Sequence, residues 1–221
     1  MNILTYDTPH RKTQDLIFQL LAKGYRFQVI VLPFEKRERN VMYNHRPGPM
    51  NQLPPDELCE MLDIRYLFCE VTELPEYLDD DDPTLIAGAG ILPRAVTDNF
   101  CVINSHPGYL PNVRGLDALK WAIYEGQPIG VTTHVINDQP DSGMLIDRKI
   151  VPVYFEDSFD SIARRVYETE IQMLVESVEK PETEKIVVEH YPVHGRMPMH
   201  LEPIMMQRLK ERILKSKSRN Q

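Results

Sequence analysis

Between positions 102 and 122 the chain reads VINSHPGYLPNVRGLDALKWA, and this stretch gathers an amide, an imidazole and a guanidinium where an apolar run stops. Asn104 and His106 flank Ser105 at the end of a predicted strand, so on an extended backbone both project from one face. Pro107 and Pro111 stiffen the loop beyond the strand, Arg114 adds a permanent cation, and Gly115 frees the turn into a helix. An Asn-x-His pair alone is a weak signal, because most such pairs are a satisfied amide beside an exposed ring. Its place gives it weight, since ligands of open α/β sheets bind outside the carboxyl ends of the strands, near the point where strand order reverses.

The elements that must position these residues alternate along the chain. Strands are predicted over 2–5, 27–32, 66–69, 84–87, 100–103, 131–136, 144–153 and 185–188. Helices are predicted from a Thr8-Pro9 start to Gly24, then over 55–62 and 116–124. The strongest helical period falls in 157–178, with apolar residues at 159, 162, 163, 166, 171, 174, 175 and 178. A basic helix closes the chain. This pattern predicts an α/β, Rossmann-like, mostly parallel sheet with helices on both faces. The catalytic domain is predicted over 1–180 and a short C-terminal extension over 181–221. A long charged, Pro-rich loop over 33–55 reads as a binding element.

The 221 residues are 42% hydrophobic and 26% charged, which suits a globular chain with a real core. A net charge of −8 weighs against a nucleic-acid partner. No apolar run nears the ~20 residues of a membrane-spanning helix. The start enters a strand pattern without a basic, apolar, small-residue leader, so a cytoplasmic location is expected. Cys59, Cys69 and Cys101 are widely spaced and read as reduced, buried thiols; the acidic turn 79–82 has no nearby histidine, and no metal site is expected.

Three segments together carry a resemblance. NSHPGYLPNVRG over 104–115, IGVTTHV over 129–135 and DSGMLI over 141–146 resemble the formyltransferase fold family, and the likeness extends to IAGAGILP and EDSFDSIARRVYETE. It implies catalytic roles for Asn104, His106 and Asp141, and use of 10-formyltetrahydrofolate without a metal. Formyl transfer to an amine passes through a tetrahedral oxyanion, which Asn104 and a protonated His106 can stabilise, while Asp141 near the imidazole relays protons. The resemblance places the folate against Gly90, Ile91, Leu92 and Pro93, and against the loop of Asp138 and Gly143. Two departures are Gly108, where many relatives have Ser, and Pro140 ahead of Asp141. His134, which alternates with apolar neighbours, reads as structural.

The loop after the first strand, Tyr6-Asp7-Thr8-Pro9-His10, lacks the glycines of a glycinamide ribonucleotide enzyme. The acidic charge and short tail set the chain apart from methionyl-tRNA formyltransferases, and its start from formyltetrahydrofolate hydrolases. The expected acceptor is therefore a nucleotide-linked amino sugar of bacterial surface polysaccharide (O-antigen) synthesis. His10, Arg11, Lys12, Tyr109 and Arg114 are its candidate contacts, with His45 and Arg46 as further cations and Trp121 as a candidate wall. The alternatives are a methionyl-tRNA formyltransferase-like or formyltetrahydrofolate hydrolase-like enzyme, or a non-catalytic nucleotide-binding relative. A homodimer is expected, with Met197, Met199, Met205, Met206 and Leu209 packing on the second subunit.

Overall fold

The computed structural model describes residues 1–35, 41–46 and 51–217. Its centre is an eight-stranded sheet. In chain order the elements are β1 (Asn2–Tyr6), α1 (Arg11–Ala22), β2 (Gln28–Leu32), α2 (Pro55–Met61), β3 (Tyr66–Phe68), β4 (Thr84–Ile86), α3 (Arg94–Thr97), β5 (Val102–His106) and β6 (Arg114–Gly115). There follow α4 (Ala118–Tyr124), β7 (Gly130–Val135), β8 (Gly143–Ile150), α5 (Phe159–Glu176), β9 (Lys185–Ile186), β10 (Val193–His194) and α6 (Glu202–Lys217). Spatially the strands run β3-β2-β1-β4-β5-β7-β8-β9, while β6 and β10 form a separate parallel pair.

Pairing is parallel from β3 through β5 and antiparallel from β5 onward. Residues 2–5 are buried in an unbroken run, as a central parallel strand covered on both faces requires. On one face Ile3, Val29, Leu85 and Ile103 pack against Leu16, Ile17 and Leu20 of α1 and Leu174 of α5. On the other, Leu4, Ile30, Leu32 and Val102 pack against Leu74, Leu92 and Val96. Strand order reverses between β1 and β4, which fixes where a ligand crevice opens.

The helix starts follow local chemistry. Ser158 caps α5 by accepting from Ser161 N–H, and Ser161 reciprocates. α1 begins later than its Thr8-Pro9 signal, with His10 in the extended N-cap position, and stops at Gly24, whose φ of +81° is left-handed.

The C-terminal segment is built into the domain. Met197, Met205 and Leu209 are buried with Ala118, Ala122, Ile162 and Val166, and Met206 packs against the same cluster. This corrects the expectation that these side chains pack on a second subunit: they complete a core between α4, α5 and α6, and Met199 is the exposed one. Cys59 and Cys69 are buried free thiols and Cys101 is half-buried. Burial pushes Cys59 and Cys69 up to about 11.

Candidate active site

Antiparallel pairing sets Asn104 opposite His134 and His106 opposite Thr132, so four polar side chains share one face at the carboxyl end of β5. The turn after β7 then brings Asp141 back over this face. Asp141 has a left-handed φ of 47°, and residue 143 follows as a glycine with φ of 107°, where a Cβ would lie 2.1 Å from the Val135 carbonyl oxygen. The result is a contact of 3.2 Å between His106 Nδ1 and Asp141 Oδ1.

Each partner is held from behind. Asp141 Oδ2 accepts from the Gly115 N–H at 2.5 Å. His106, 4% exposed, has its Nε2 3.1 Å from the Val113 carbonyl oxygen. That carbonyl can only accept, which places a proton on Nε2 and leaves Nδ1 as the nitrogen that exchanges a proton with Asp141. Asn104 is half-buried, and its amide makes no hydrogen bond among the described residues, so its donors are available to a ligand.

His134 deepens the same face. Its Nδ1 lies 2.7 Å from the Ser142 carbonyl oxygen, so Nδ1 donates and Nε2 carries a lone pair, which is buried without a partner among the described residues. Burial, together with His106 nearby, pushes this ring down to about 4 against the pull of Asp141. The imidazole is neutral at pH 7, and its Nε2 lies in the interior.

The two predicted folate loops are joined. Gly90 and Ile91 are exposed, Ile91 at 84%, while Leu92 is buried beneath them and Pro93 precedes α3. Arg94, the next residue, forms an ion pair with Asp138 across the gap. Gly143 is buried at the start of β8. The exposed Ile91 side chain and the Asn104 donors fit a flat, polar-edged pterin.

Several expected substrate contacts are committed elsewhere. Arg114 is buried and donates from Nε to the Asp141 carbonyl at 3.3 Å, from NH2 to Pro140 O at 2.6 Å and from NH1 to Tyr191 O at 2.9 Å. It therefore fastens the Asp141 loop to the C-terminal segment instead of facing a ligand. Lys12 is buried too, with Nζ 2.7 Å from Glu170 Oε1 and 3.4 Å from the Ser105 carbonyl oxygen, which corrects its reading as an exposed phosphate contact. Arg11 pairs with Asp15 and lies over the Tyr167 ring. His10 Nδ1 is 3.1 Å from the Thr13 hydroxyl. Tyr109 is half-buried under the Arg148 guanidinium, and Trp121 stacks on His194 with centroids 4.6 Å apart.

The sequence reading missed Glu170. This carboxylate is fully buried in α5 and holds both Lys12 and Arg46, the latter through NH1 at 2.9 Å. Burial alone would raise its carboxyl, yet Arg46 and Lys12 outweigh that and hold it below the usual carboxylate range. A signal was present: position 170 is four residues after Val166 and so lies on the buried stripe of the 157–178 helix. His45, beside this cluster and 3.9 Å from Asp117, is pushed down to about 4 by burial and by Arg46.

A cavity of about 320 Å³ opens at the ends of β1, β2 and β3, lined by Asp7, Glu70 and Glu73 together with Val31, Pro33, Phe68 and Cys69. Its acid lining disfavours phosphate.

The fold and this constellation define a class: a doubly wound sheet carrying an amide and an imidazole at the end of β5 and a carboxylate on the loop after β7. Residues 70–178 match the family model described as formyl transferase. It is 25% identical over 194 residues to a methionyl-tRNA formyltransferase of Thermosynechococcus vestitus, covering 81% of this chain and 56% of that protein. It is 34% identical over 84 residues to a dTDP-4-amino-4,6-dideoxyglucose formyltransferase of Mycobacterium bovis, 38% of this chain and 36% of the relative. The chain thus spans little more than half the length of the first relative and about a third of the second. A sugar N-formyltransferase structure from Shewanella sp. FDAARGOS_354 superimposes with a TM-score of 0.62 at 19% identity, over 94% of this chain and 87% of that one, a likeness of fold.

Proposed function

We propose that the protein transfers the formyl group of 10-formyltetrahydrofolate to the primary amine of a nucleotide-linked amino sugar. The observation that carries this reading is the His106 Nδ1–Asp141 Oδ1 contact, made between the end of β5 and the loop after β7, beside an Asn104 amide without a hydrogen bond among the described residues.

The folate substrate supplies the formyl carbon and the nitrogen that leaves it. Asn104 donates its amide hydrogens to the carbonyl oxygen as the amine adds and negative charge develops there. Loss of one such donor typically costs ~2.7–4 kcal/mol. His106 Nδ1 and Asp141 take the proton that the amine sheds, and the same pair returns a proton to the departing folate nitrogen, so formamide and tetrahydrofolate form with no net change in the protein. His134 stays neutral behind this face. Gly90, Ile91, Leu92 and Pro93 with the loop of Asp138 to Gly143 orient the pterin.

An anionic acceptor is favoured by charge. Among the described residues Lys12 and Arg46 share the single carboxylate Glu170, which leaves a surplus cation there beside the strand end. Arg46 is the accessible member, its side chain 42% exposed. A phosphate-bearing sugar suits it, with His10 at the switch point as a further contact. We place the protein in the cytoplasm, in the assembly of bacterial surface polysaccharide, as a homodimer. Among the described residues no helix is long and apolar enough to cross a membrane.

The test is incubation with 10-formyltetrahydrofolate and a panel of nucleotide amino sugars, read by mass. Gain of one formyl group on a sugar nucleotide is expected. Transfer only to charged initiator tRNA, or folate release with no acceptor, would replace this reading.

A further inference from the structure

Gly115, whose N–H holds Asp141 Oδ2, is covered on its other side by the C-terminal strand β10. β10 pairs in parallel with the two-residue strand β6, which sets His194 opposite Gly115. The approach is close. With φ of 91°, a Cβ on residue 115 would stand 2.1 Å from the His194 carbonyl oxygen and 2.7 Å from its nitrogen. Backbone of β10 fills the volume of the missing side chain, so the seat of β10 fixes where the Gly115 N–H points.

The His194 side chain holds β10 in that seat. Its Nε2 is 2.8 Å from Glu125 Oε1, and its Nδ1 is 3.3 Å from the Arg114 carbonyl oxygen. A carboxylate and a carbonyl can only accept, so both are met when each ring nitrogen carries a proton. The ring stacks on Trp121, whose Nε1 donates to the Gly195 carbonyl at 2.9 Å, and the His194 carbonyl accepts from Leu116 N–H at 2.9 Å. Arg114 completes the tie. Its NH1 donates to Tyr191 O in the C-terminal segment, while Nε and NH2 donate to the Asp141 and Pro140 carbonyls. β6 is thus clamped between β10 on one side and the Asp141 loop on the other.

The geometry points to His194 as a positioning residue for the transfer reaction: its Nδ1–H bond to the Arg114 carbonyl seats β10 against β6, which aims the Gly115 N–H at Asp141 Oδ2 and leaves Oδ1 facing His106. The kinetic part of this inference rests on the formyl-transfer reading, whereas the placement of Gly115 does not.

The experiment compares wild type with two variants that separate the ring from its donor. His194→Phe keeps a ring beside Trp121 and has no donor; His194→Asn gives up the ring and keeps an amide N–H where Nδ1 stood. Arg-Gly occurs once in the sequence, at 114–115, so protein labelled with carbonyl-¹³C arginine and ¹⁵N glycine gives one carbonyl-filtered amide signal, that of Gly115. In ligand-free wild type this proton should lie far downfield and exchange slowly, as a short bond to a carboxylate requires. In His194→Phe it should move upfield and exchange at least about tenfold faster. There kcat should fall at least about tenfold, with KM for both substrates within about twofold. His194→Asn should restore the signal and most of kcat. The reverse ranking, Phe active and Asn impaired, would show that the ring only packs, and overturns the inference. So do two variants that both match wild type, two that are impaired alike, or a wild-type amide at an ordinary shift. A displaced amide at unchanged kcat overturns the kinetic part. A bonded wild-type amide without formyl transfer sinks the functional reading and the kinetic part together, leaving His194 as a determinant of the Gly115 position alone.

Discussion

The backbone N–H of Gly115 and the Oδ2 oxygen of Asp141 are 2.5 Å apart, so one carboxylate oxygen is consumed by main chain and the other is left for His106. This fixes what an Asp141→Asn substitution does. The Gly115 N–H can be met only by the new amide oxygen, which turns the amide NH2 toward His106 Nδ1. Nδ1 then accepts from that NH2 group while Nε2 still donates to Val113, and the ring has no lone pair left to receive a proton from the amine. We expect kcat to fall at least ~100-fold, with the acid limb of the pH–rate profile altered and the fold intact by circular dichroism. A profile unchanged in shape and position would show that Asp141 does not govern the ring.

Asn104→Ala should act differently. The side chain makes no hydrogen bond among the described residues, so its removal strands no buried partner. The loss should fall on the transition state: kcat down ~10²–10³-fold, with thermal midpoint and substrate KM close to wild type. Steady-state kinetics beside a melting curve check this, and a large loss of stability with little loss of kcat would contradict it.

Arg46→Gln separates binding from chemistry. Glu170 keeps Lys12 as its partner at 2.7 Å, so the variant should fold. KM for a phosphate-bearing acceptor should rise about tenfold, the scale of one lost charge-assisted contact, with kcat near wild type. Equal KM values would remove Arg46 from the acceptor site.

Acid should destabilise the protein above the range where carboxylates titrate. His134 and His45 are both depressed to about 4 in the folded chain, so between about pH 4 and 6.5 the unfolded state binds more protons. Stability from these groups is present above the unfolded value near 6.5, falls as pH drops through that window and levels off below about 4. Urea denaturation of His134→Gln should show a shallower slope across the window than wild type. An identical slope would mean that His134 titrates alike in both states.

The parallel strands were legible because local sequence encodes them as apolar runs of strand length, and the His106–Asp141 pairing because the family resemblance implies it. The ionic interior was not. Lys12 and Glu170 are 158 positions apart, and Lys120 and Glu202 are 82 apart. In a linear reading each charge looks like part of a solvated helix face, so Lys12 became a surface cation and the tail methionines an interface. What hides them is tertiary: α5 and α6 each aim one carboxylate inward, and only the packed structure supplies its partner. The antiparallel half of the sheet was half-legible, since alternation marked β7 and β8 as partners but said nothing of the β5–β7 direction.

Lys120 and Glu202 give the last prediction. Both side chains are fully buried, 2.7 Å apart, and Glu202 Oε2 also accepts the backbone N–H groups of Met42 and Tyr43 at 2.8 Å each. One carboxylate therefore ties α4, α6 and the segment 41–46 together. Lys120→Met strands an uncompensated buried charge and should cost about 3–5 kcal/mol in urea denaturation. The double variant Lys120→Met, Glu202→Leu removes both charges and should regain much of that stability, because an apolar pair of similar volume replaces them. It also leaves the Met42 and Tyr43 N–H groups without their acceptor. Segment 41–46, which carries Arg46, is then less firmly placed, and KM for the acceptor should stay raised in the stable double variant. A double variant that recovers stability and acceptor KM together would show that the pair serves packing alone.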